Sequence, residues 1–221
     1  DNPSFPLESG IIISTGNVLN AEGPNDQGDT TTEFTDTGDA DLQSLAGYDT
    51  NDRAILTFNF VPDGDTVEFR YIFASEEYPE WACSQYNDVF GFFVSGPGIS
   101  GPFSNNAINV ALLPDSTPVA INDIHVGGWN QNAGENSHNP ATCPDINASY
   151  YVNIPAGATT TQFDGRTTVL TARLENLTPC ATYSIKIAIG DTSDRKYDSA
   201  VFLEAKSFSS DVEIENIYLG A

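Results

Sequence analysis

The sequence predicts an all-β protein, an antiparallel β-sandwich of jelly-roll-like form. Three observations carry this prediction. Apolar and polar residues alternate with a period of two in many short stretches, turns rich in Gly, Pro, Asn and Asp separate these stretches, and only one short segment has a helical pattern. Many short strands joined by such turns are typical of sandwiches and related β architectures.

The clearest strand is AILTFNFV, in which Leu56, Phe58 and Phe60 share one face while polar residues take the other. Side chains of a strand point alternately to opposite faces, so this pattern predicts one buried and one solvated face. The same reading predicts strands at IIIST, TVEFRYIFA, DVFGFFVS, INVALL, SYYVNI, TTVLTARL, ATYSIKIAIG and SAVFLEAKSF, and a closing edge strand at VEIENIYL.

The one helical turn that we expect lies at DADLQSLAG, and turns such as VPDGDT, SGPGISGP and LPDST separate the strands. The longest irregular insert runs from 127 to 147, and long ordered loops in compact domains are often functional. The chain contains no linker, repeat or low-complexity tract. We therefore expect residues 1–221 to form a single sandwich domain.

The chain is strongly acidic: 31 Asp and Glu stand against 8 Lys and Arg, for a formal net charge of -23. This charge argues against contact with nucleic acid or an anionic membrane surface. Acidic disorder is also disfavoured, because 39% hydrophobic and 11% aromatic residues, spread along the chain, can bury enough surface to fold.

No stretch approaches the roughly 20 apolar residues of a membrane helix. The sequence begins at Asp1 without a basic and apolar leader, so we expect a processed protein or an excised domain. Cys83 and Cys143 lie in loop-like sequence whereas Cys180 opens a strand, which favours a Cys83–Cys143 disulfide in an oxidising compartment. Three reduced cysteines in the cytosol are the alternative.

Three acidic segments each adjoin a strongly apolar strand: TGDADLQ, SEEYPEWACSQYND and GDTSDRKYDSAVF. Solvated turns are the simpler explanation, but carboxylates clustered near a core are costly unless a cation neutralises them. The acids that these segments offer as metal ligands are Asp39, Asp41, Glu76, Glu77, Asp88, Asp191, Asp194 and Asp198.

Calcium is the cation that fits best, because it takes six to eight oxygen ligands at about 2.3–2.6 Å in irregular geometry. The spacing of Asp191, Asp194 and Asp198 is not that of an EF-hand, whose glycine and final glutamate are absent. Zinc is less favoured, since His125 and His138 are the only histidines and no Cys-x-x-Cys occurs.

We expect no enzyme activity. The sequence has no G-x-S-x-G elbow, no H-E-x-x-H, no phosphate-cradling glycine loop and no Ser or Cys nucleophile with a nearby histidine base. Glu76, Glu77 and Glu80 lie beside Tyr78 and Trp81, which leaves a glycosidase as the enzymatic alternative.

Aromatic residues in the same loops as the acids are the candidates for ligand contact, because their side chains combine an apolar face with a polar tip. These candidates are Trp81, Tyr86 and Trp129, with Asn130 beside the last. We expect core packing for at least one of the aromatic residues and assign Trp129 to the surface.

Several long motifs resemble one known family. They are FPLESGIIISTGNVLNAEGPN, GDADLQSLAG, FRYIFASEEYPEWACSQYNDVFGFFVSGPG, TPVAIN, LTPCATYSIKIAIGD and YDSAVFLEAKSF. They resemble the choice-of-anchor L domain of secreted and surface proteins of bacteria, from near the N-terminus to about Phe208. The central SEEYPE and YNDVFGFF also look like the calcium-dependent peptide-binding domain of bacterial RTX adhesins.

The resemblance implies a β-sandwich with several calcium ions and a peptide groove beside a metal. Carried onto this sequence, the acidic motifs of the family fall on Asp39, Asp41, Glu76, Glu77, Asn87, Asp88, Asp191 and Asp198. The expected function is thus an extracellular adhesion module, a monomeric part of a larger bacterial adhesin that takes part in attachment and biofilm formation.

Residue chemistry and resemblance agree on a mechanism. A calcium ion with an open coordination position receives a carboxylate, and backbone N–H groups beside it capture a free peptide C-terminus. Two alternative functions stay open. One is a calcium-dependent carbohydrate-binding module, and the other is a purely structural domain in which calcium only holds the loops in place.

Overall fold

Strands dominate the computed structural model, which describes residues 4–127, 141–207 and, as backbone only, 212–220. The helix is α1 (Ala40–Ala46), and short 3₁₀ turns lie at Val18–Ala21, Ser104–Asn106, Ile121–Asp123 and Ala148–Tyr150. The strands are β1 (Gly10–Ser14), β2 (Thr50–Pro62), β3 (Val67–Ser75), β4 (Val89–Ser95), β5 (Ile108–Asn109), β6 (Val119–Ala120), β7 (Tyr151–Asn153), β8 (Gly165–Thr167), β9 (Leu170–Leu174), β10 (Tyr183–Thr192), β11 (Ser199–Glu204) and β12 (Val212–Gly220). Within these ranges, no helix has the length and apolarity that a bilayer crossing requires.

The strands form two six-stranded antiparallel sheets, which confirms the predicted sandwich. The first has the order β1-β11-β3-β8-β7, with β9 also paired to β3. The second has the order β12-β2-β10-β4-β5, with β6 also paired to β4. β1 and β11, which are distant in sequence, are neighbours in one sheet.

The core lies between the sheets, where alternate residues of each strand meet. Phe69 of β3 stacks on Phe92 of β4 with ring centroids 5.0 Å apart, and Tyr71 contacts Phe90 at 5.2 Å. Such aromatic pairs stabilise by about 0.5–1.5 kcal/mol beyond the area that they bury. The face predicted from AILTFNFV is confirmed, because Leu56, Phe58 and Phe60 are all buried in the same core.

Most predicted strands and the predicted helical turn are present, but some strands are shorter than the predicted segments. The helical turn begins at Asp39, whose carboxylate caps the N–H groups of Asp41 and Leu42, and ends at Gly47 in the left-handed conformation. Of INVALL only Ile108 and Asn109 pair as a strand. The closing strand β12 pairs with β2 at the edge of the second sheet, as predicted.

Both sheets bring acidic segments to the same end of the sandwich. The last residue of β3 pairs with the first residue of β11, and the end of β10 lies beside the start of β4. The turns around these four strand ends hold SEEYPEWACSQYND and GDTSDRKYDS. Antiparallel pairing therefore joins two acidic segments that are about a hundred residues apart in the chain.

We predict that Phe92→Ala lowers the free energy of unfolding by about 3–5 kcal/mol, the usual cost of truncating a fully buried phenylalanine. Phe92 is fully buried and touches Phe69, Tyr71 and Phe90. Urea denaturation measures the change, with Leu19→Ala as the control because Leu19 is 78% exposed. Equal losses in the two variants would contradict the placement of the core.

Candidate metal centre

Five carboxylates at one end of the sandwich form what we call the acid cluster: Glu76, Glu77, Asp88, Asp191 and Asp198. The two glutamates directly follow β3, Asp88 directly precedes β4, Asp191 lies near the end of β10, and Asp198 directly precedes β11. Each of the five residues is at most 2% exposed. Strand pairing, not sequence proximity, brings them together.

Most carboxylate oxygens of the acid cluster have no hydrogen-bond partner. Both oxygens of Glu76 and Glu77, and Oδ2 of Asp198, are buried and unpaired. Both oxygens of Asp191 lack a hydrogen bond of good geometry, although Thr15 and Asp88 lie close to them. Buried polar atoms in folded proteins are nearly always hydrogen-bonded, and an unpaired buried carboxylate is costly. These oxygens are therefore the strongest sign of a missing positive partner.

Asp88 is the best-held member of the cluster and links the two sheets. Its Oδ1 accepts a hydrogen bond from the Thr192 N–H at 2.9 Å, and its Oδ2 accepts one from the Ser199 hydroxyl at 2.6 Å. Thr192 belongs to β10 and Ser199 to β11, so one carboxylate connects an end of each sheet.

Burial raises the pKa values throughout the cluster. Burial, with the nearby Asp164 and Asp198 as secondary causes, raises the pKa of Glu76 to about 10. Burial and the Asp88 charge raise the pKa values of Glu77 and Asp191 well above their ordinary range. Burial likewise raises the pKa of Asp88 to about 7 and that of Asp198 to about 6. Each charged carboxylate here therefore needs a proton or a cation.

The two glutamates have different acidic surroundings. The charge of Glu80 acts on both, but Glu76 also interacts with Asp164 and Asp198, whereas Glu77 also interacts with Asp88 and Asp194. Among the described residues, no three carboxylates lie within 4.8 Å of one another. An ion bound here would thus take few acids at a time and complete its shell with amide, backbone or water oxygens.

The donor set fits calcium. It consists of oxygen atoms in an irregular arrangement, which calcium accepts and zinc does not favour. Gly16 supports this fit, because a Cβ at that position would lie 1.8 Å from Asp198 Oδ2. The absence of a side chain at Gly16 leaves room for the unpaired Asp198 oxygen.

Asp39 and Asp41, two predicted ligands, have a protein cation instead. The Lys186 ammonium lies 2.8 Å from Asp39 Oδ1 and 2.6 Å from Asp41 Oδ2, over the ring of Phe93. Asp41 Oδ1 also accepts hydrogen bonds from the backbone and hydroxyl of Ser104. Because Lys186 already neutralises this pair, its surroundings do not support metal binding, and we leave it out of the candidate centre.

Two other predicted ligands lie at the margin of the cluster. Asp194 is partly exposed, and burial raises its pKa while the N–H of Lys196 donates to its Oδ1. The side-chain oxygen of Asn87 accepts from the Asn122 N–H at 2.8 Å. Asp194 and Asn87 each have oxygen lone pairs left for a metal ion, so they are secondary candidates for metal ligands.

Two of the predicted ligand-contact residues join a third in an aromatic group: Trp81, Tyr86 and Tyr197. Trp81 contacts Tyr86 at 5.1 Å and Tyr197 at 5.5 Å between ring centroids, and all three are partly exposed. The acids Glu77 and Glu80 lie close enough to raise the pKa of Tyr197, although burial is the main cause. Trp129 and Asn130 lie outside the described residues.

The structure joins Cys83 and Cys143 in a disulfide and leaves Cys180 free and exposed. The disulfide fastens the turn after Glu80 to the segment that begins at 141. It thereby anchors one end of the 127–147 insert next to the acid-rich turn.

Sequence reasoning missed four residues of this region: Asp164, Asp52, Gly16 and Tyr197. Asp164 directly precedes β8; burial raises its pKa to about 6, and Asn25 donates to it at 2.8 Å. Asp52 is buried in β2 and forms an ion pair with Arg195. Nothing in their local sequence separates them from other turn or strand residues.

In metal-free buffer we predict that the protein loses stability as the pH rises from about 5 to about 8. Burial raises the folded pKa of Asp198 to about 6 and of Asp88 to about 7, above the ordinary value near 4. The folded state then binds more protons than the unfolded state, so the free energy of unfolding falls through this window. Denaturant titration at several pH values measures it.

Asp88→Asn is the comparison variant for the pH test, because it removes one titrating acid and should flatten the slope. His125 contributes an opposite slope, since burial lowers its pKa, and this contribution is the same in both proteins. A free energy of unfolding that rises toward about pH 8 in the metal-free wild type would contradict the burial of charged carboxylates.

Comparison with known proteins identifies the family. The Choice-of-anchor L domain family matches residues 1–209, while no curated protein and no solved structure matches the chain. The matched range contains the whole acid cluster and every strand except β12. The chain therefore belongs to the Choice-of-anchor L domain family, a family of domains from bacterial cell-surface or secreted proteins.

Proposed function

We propose that this domain is a non-enzymatic, calcium-dependent ligand-binding module of a bacterial surface adhesin, and that it holds free C-termini of target peptides. The observation that carries the proposal is the acid cluster, in which most of the buried carboxylate oxygens lack a hydrogen-bond partner, beside a partly exposed aromatic group. The family supports a location on the bacterial surface.

Calcium suits the acid cluster better than magnesium or zinc. Magnesium demands near-octahedral geometry at about 2.0–2.1 Å, and zinc prefers nitrogen and sulfur ligands, whereas calcium adapts to irregular oxygen sets. Glu76 and Glu77 share Glu80 as an acidic neighbour, but their other acidic neighbours differ, which favours more than one ion.

Bound calcium would act first on the fold. With the charges of the acid cluster balanced, the turns that carry Trp81, Tyr86 and Tyr197 can pack at the end of the sandwich without repulsion among carboxylates. Because the unfolded chain has no preformed site, the binding free energy adds to the stability of the folded state.

The net charge of -23 explains why a carboxylate ligand would need the ion. An acidic surface repels a peptide C-terminus, whereas calcium with an open coordination position attracts it, and backbone N–H groups add hydrogen bonds. The aromatic group then offers an apolar face to a side chain of the peptide.

Burial argues against glycoside hydrolysis by the two glutamates. A glycosidase needs two carboxyl groups that flank the sugar bond, with both in contact with substrate. Glu76 and Glu77 are each only 1% exposed, so their own carboxyl groups do not flank a sugar bond in direct contact in this structure. A carbohydrate-binding module is the second candidate, because sugars also stack on aromatic rings and coordinate calcium. A purely structural role is the third.

We predict that Asp191→Asn weakens calcium binding by about tenfold or more, since the charge count of the ligands sets calcium affinity. In chelator the variant should melt no lower than the wild type, because an uncompensated buried charge is gone. Calorimetric titration and thermal melts measure both effects, and Asp198→Ala should likewise lose calcium affinity.

Asp41→Asn is the matched control for the calcium variants. It weakens the pairing with Lys186 and Ser104 and should lower the free energy of unfolding by about 1.5–3 kcal/mol, equally in calcium and in chelator. Its calcium affinity should be unchanged. If Asp191→Asn and Asp198→Ala melt like the wild type in both conditions, the acid cluster is not the calcium site.

We predict that the domain binds peptides with free C-terminal carboxylates, and only in the presence of calcium. A pooled peptide library and its C-terminally amidated twin are tested side by side in calcium and in chelator. Trp81→Ala should weaken peptide binding without changing calcium affinity, because Trp81 is central to the aromatic group. Tyr48→Ala is the control, since Tyr48 is 51% exposed and outside that group.

Other outcomes of the peptide test select other functions. Equal binding of the amidated library would exclude a carboxylate receptor. Carbohydrate recognition would be favoured if no peptide bound and a glycan array gave calcium-dependent signals. A large calcium-dependent rise in melting temperature with no ligand in either screen would leave calcium with a structural role.

A further inference from the structure

The Cys83–Cys143 disulfide packs against a buried histidine, outside the acid cluster. The sulfur atoms of both cysteines and a ring nitrogen of His125 all lie within 4.8 Å of one another. Of the His, Cys, Asp and Glu side chains in the described ranges, no other three come this close. Cys143 and His125 are fully buried, and Cys83 is partly exposed.

The ring of His125 is oriented as in a histidine that binds a metal. Its Nδ1 lies 3.2 Å from the Val126 carbonyl oxygen, which assigns the proton to Nδ1. With the proton on Nδ1, Nε2 has the lone pair and lies 3.7 Å from Cys83 Sγ, and the backbone of Asn122 also lies close to the ring. A backbone carbonyl that accepts from the second ring nitrogen is the usual support of a zinc-binding histidine. Burial lowers the pKa of His125, which keeps the ring neutral.

The distances suit a tetrahedral ion once the sulfur atoms are reduced. Zinc binds sulfur at about 2.3 Å and histidine nitrogen at about 2.0–2.1 Å, so adjacent ligands stand about 3.5–3.8 Å apart. The observed separation of 3.7 Å between Cys83 Sγ and His125 Nε2 already matches. Only the two sulfur atoms have to move apart, by side-chain rotation after their bond is broken.

Contacts other than the disulfide hold the three segments together. The Asn122 side chain accepts from the Cys83 N–H at 2.6 Å and donates to the Ser84 carbonyl at 2.8 Å. His125 and Ile146 exchange two backbone hydrogen bonds, at 2.8 and 3.1 Å. The turn of Cys83 and the segment after Cys143 are therefore both fastened to the His125 segment independently of the sulfur–sulfur bond.

We propose that Cys83, Cys143 and His125 form a zinc site in the reduced chain, the state that precedes disulfide formation. Two thiolates, one neutral imidazole and a water molecule give zinc four ligands. Binding releases the two thiol protons, and the charge of the two thiolates balances that of the ion. The disulfide and the zinc ion exclude each other because both use the same sulfur atoms.

The donor set separates this site from the acid cluster. Thiolate and imidazole select zinc over calcium, just as carboxylate and carbonyl oxygen select calcium over zinc. Zinc would also hold together the two cysteines that form the native disulfide. Cys180, which is free and exposed, would thereby be kept from pairing with either of them.

Cobalt binding to the reduced Cys180→Ser protein tests the site. A water-soluble phosphine reduces the disulfide: the phosphine becomes its oxide with oxygen from water, and two thiols form. Cobalt(II) is then titrated in excess calcium, which occupies carboxylate sites. We expect one equivalent to give the thiolate-to-cobalt absorption band and the visible bands of tetrahedral cobalt, with zinc displacing it.

Three controls make the result specific. The oxidised protein should give no band, and Cys83→Ser should lose the tetrahedral spectrum. His125→Gln should weaken zinc binding by more than about tenfold, because a change in a residue that only supports a metal ligand already costs about 10–100-fold in affinity. Circular dichroism follows folding in each sample.

Either of two results would overturn the proposal. One is a folded, reduced protein with no thiolate band at saturating cobalt. The other is a reduced protein that unfolds and does not refold when zinc is added. A band of equal strength in the His125→Gln variant would also remove His125 from the site.

Discussion

Negative charge buried where the two sheets meet is the constraint on which the rest of the structure depends. Asp191 is part of β10 and pairs with Asn51 of β2, so it cannot move to solvent without breaking a strand pair. Glu76 and Glu77 follow β3 directly and are each only 1% exposed. Asp88 connects both sheets through Thr192 and Ser199. The charge must therefore be balanced where it lies, by protons or by a cation.

The same chain balances other acids with its own basic residues. Lys186 lies between Asp39 and Asp41, and Arg195 pairs with the buried Asp52. Such pairs leave those acids no need of a metal. With only 8 Lys and Arg against 31 Asp and Glu, the chain has too few basic residues to treat every buried acid in this way. The unpaired oxygens of the acid cluster are the result.

This division of acids links the stability of the fold to the order of the aromatic group. The turns that hold the unpaired carboxylates also hold Trp81, Tyr86 and Tyr197, so a cation that orders the turns also orders the aromatic group. The disulfide ties the same region to the segment after the 127–147 insert. Order in this region of the surface therefore depends on how the buried charge is balanced.

Local patterns in the sequence were enough for the strands, because the side-chain alternation of a half-buried strand is a property of neighbouring residues. The face shared by Leu56, Phe58 and Phe60 and the helix after Asp39 were both predictable. The acid-rich segments were also recognisable, since each adjoins an apolar strand. Their partners were not: Asp39 and Asp41 resemble the other acids in sequence, and only the strand register places Lys186 beside them.

The sequence by itself determined an acidic, antiparallel sandwich, the choice-of-anchor L resemblance, and a set of acid-rich segments next to apolar strands. Only the tertiary structure decided which of these acids are buried without a basic partner. It joined Glu76 and Glu77 to Asp88, Asp191 and Asp198, added Asp164 and Gly16, and turned His125 toward the disulfide. The physical reason is that charge balance depends on distance and burial, which long-range strand pairing sets and local sequence does not.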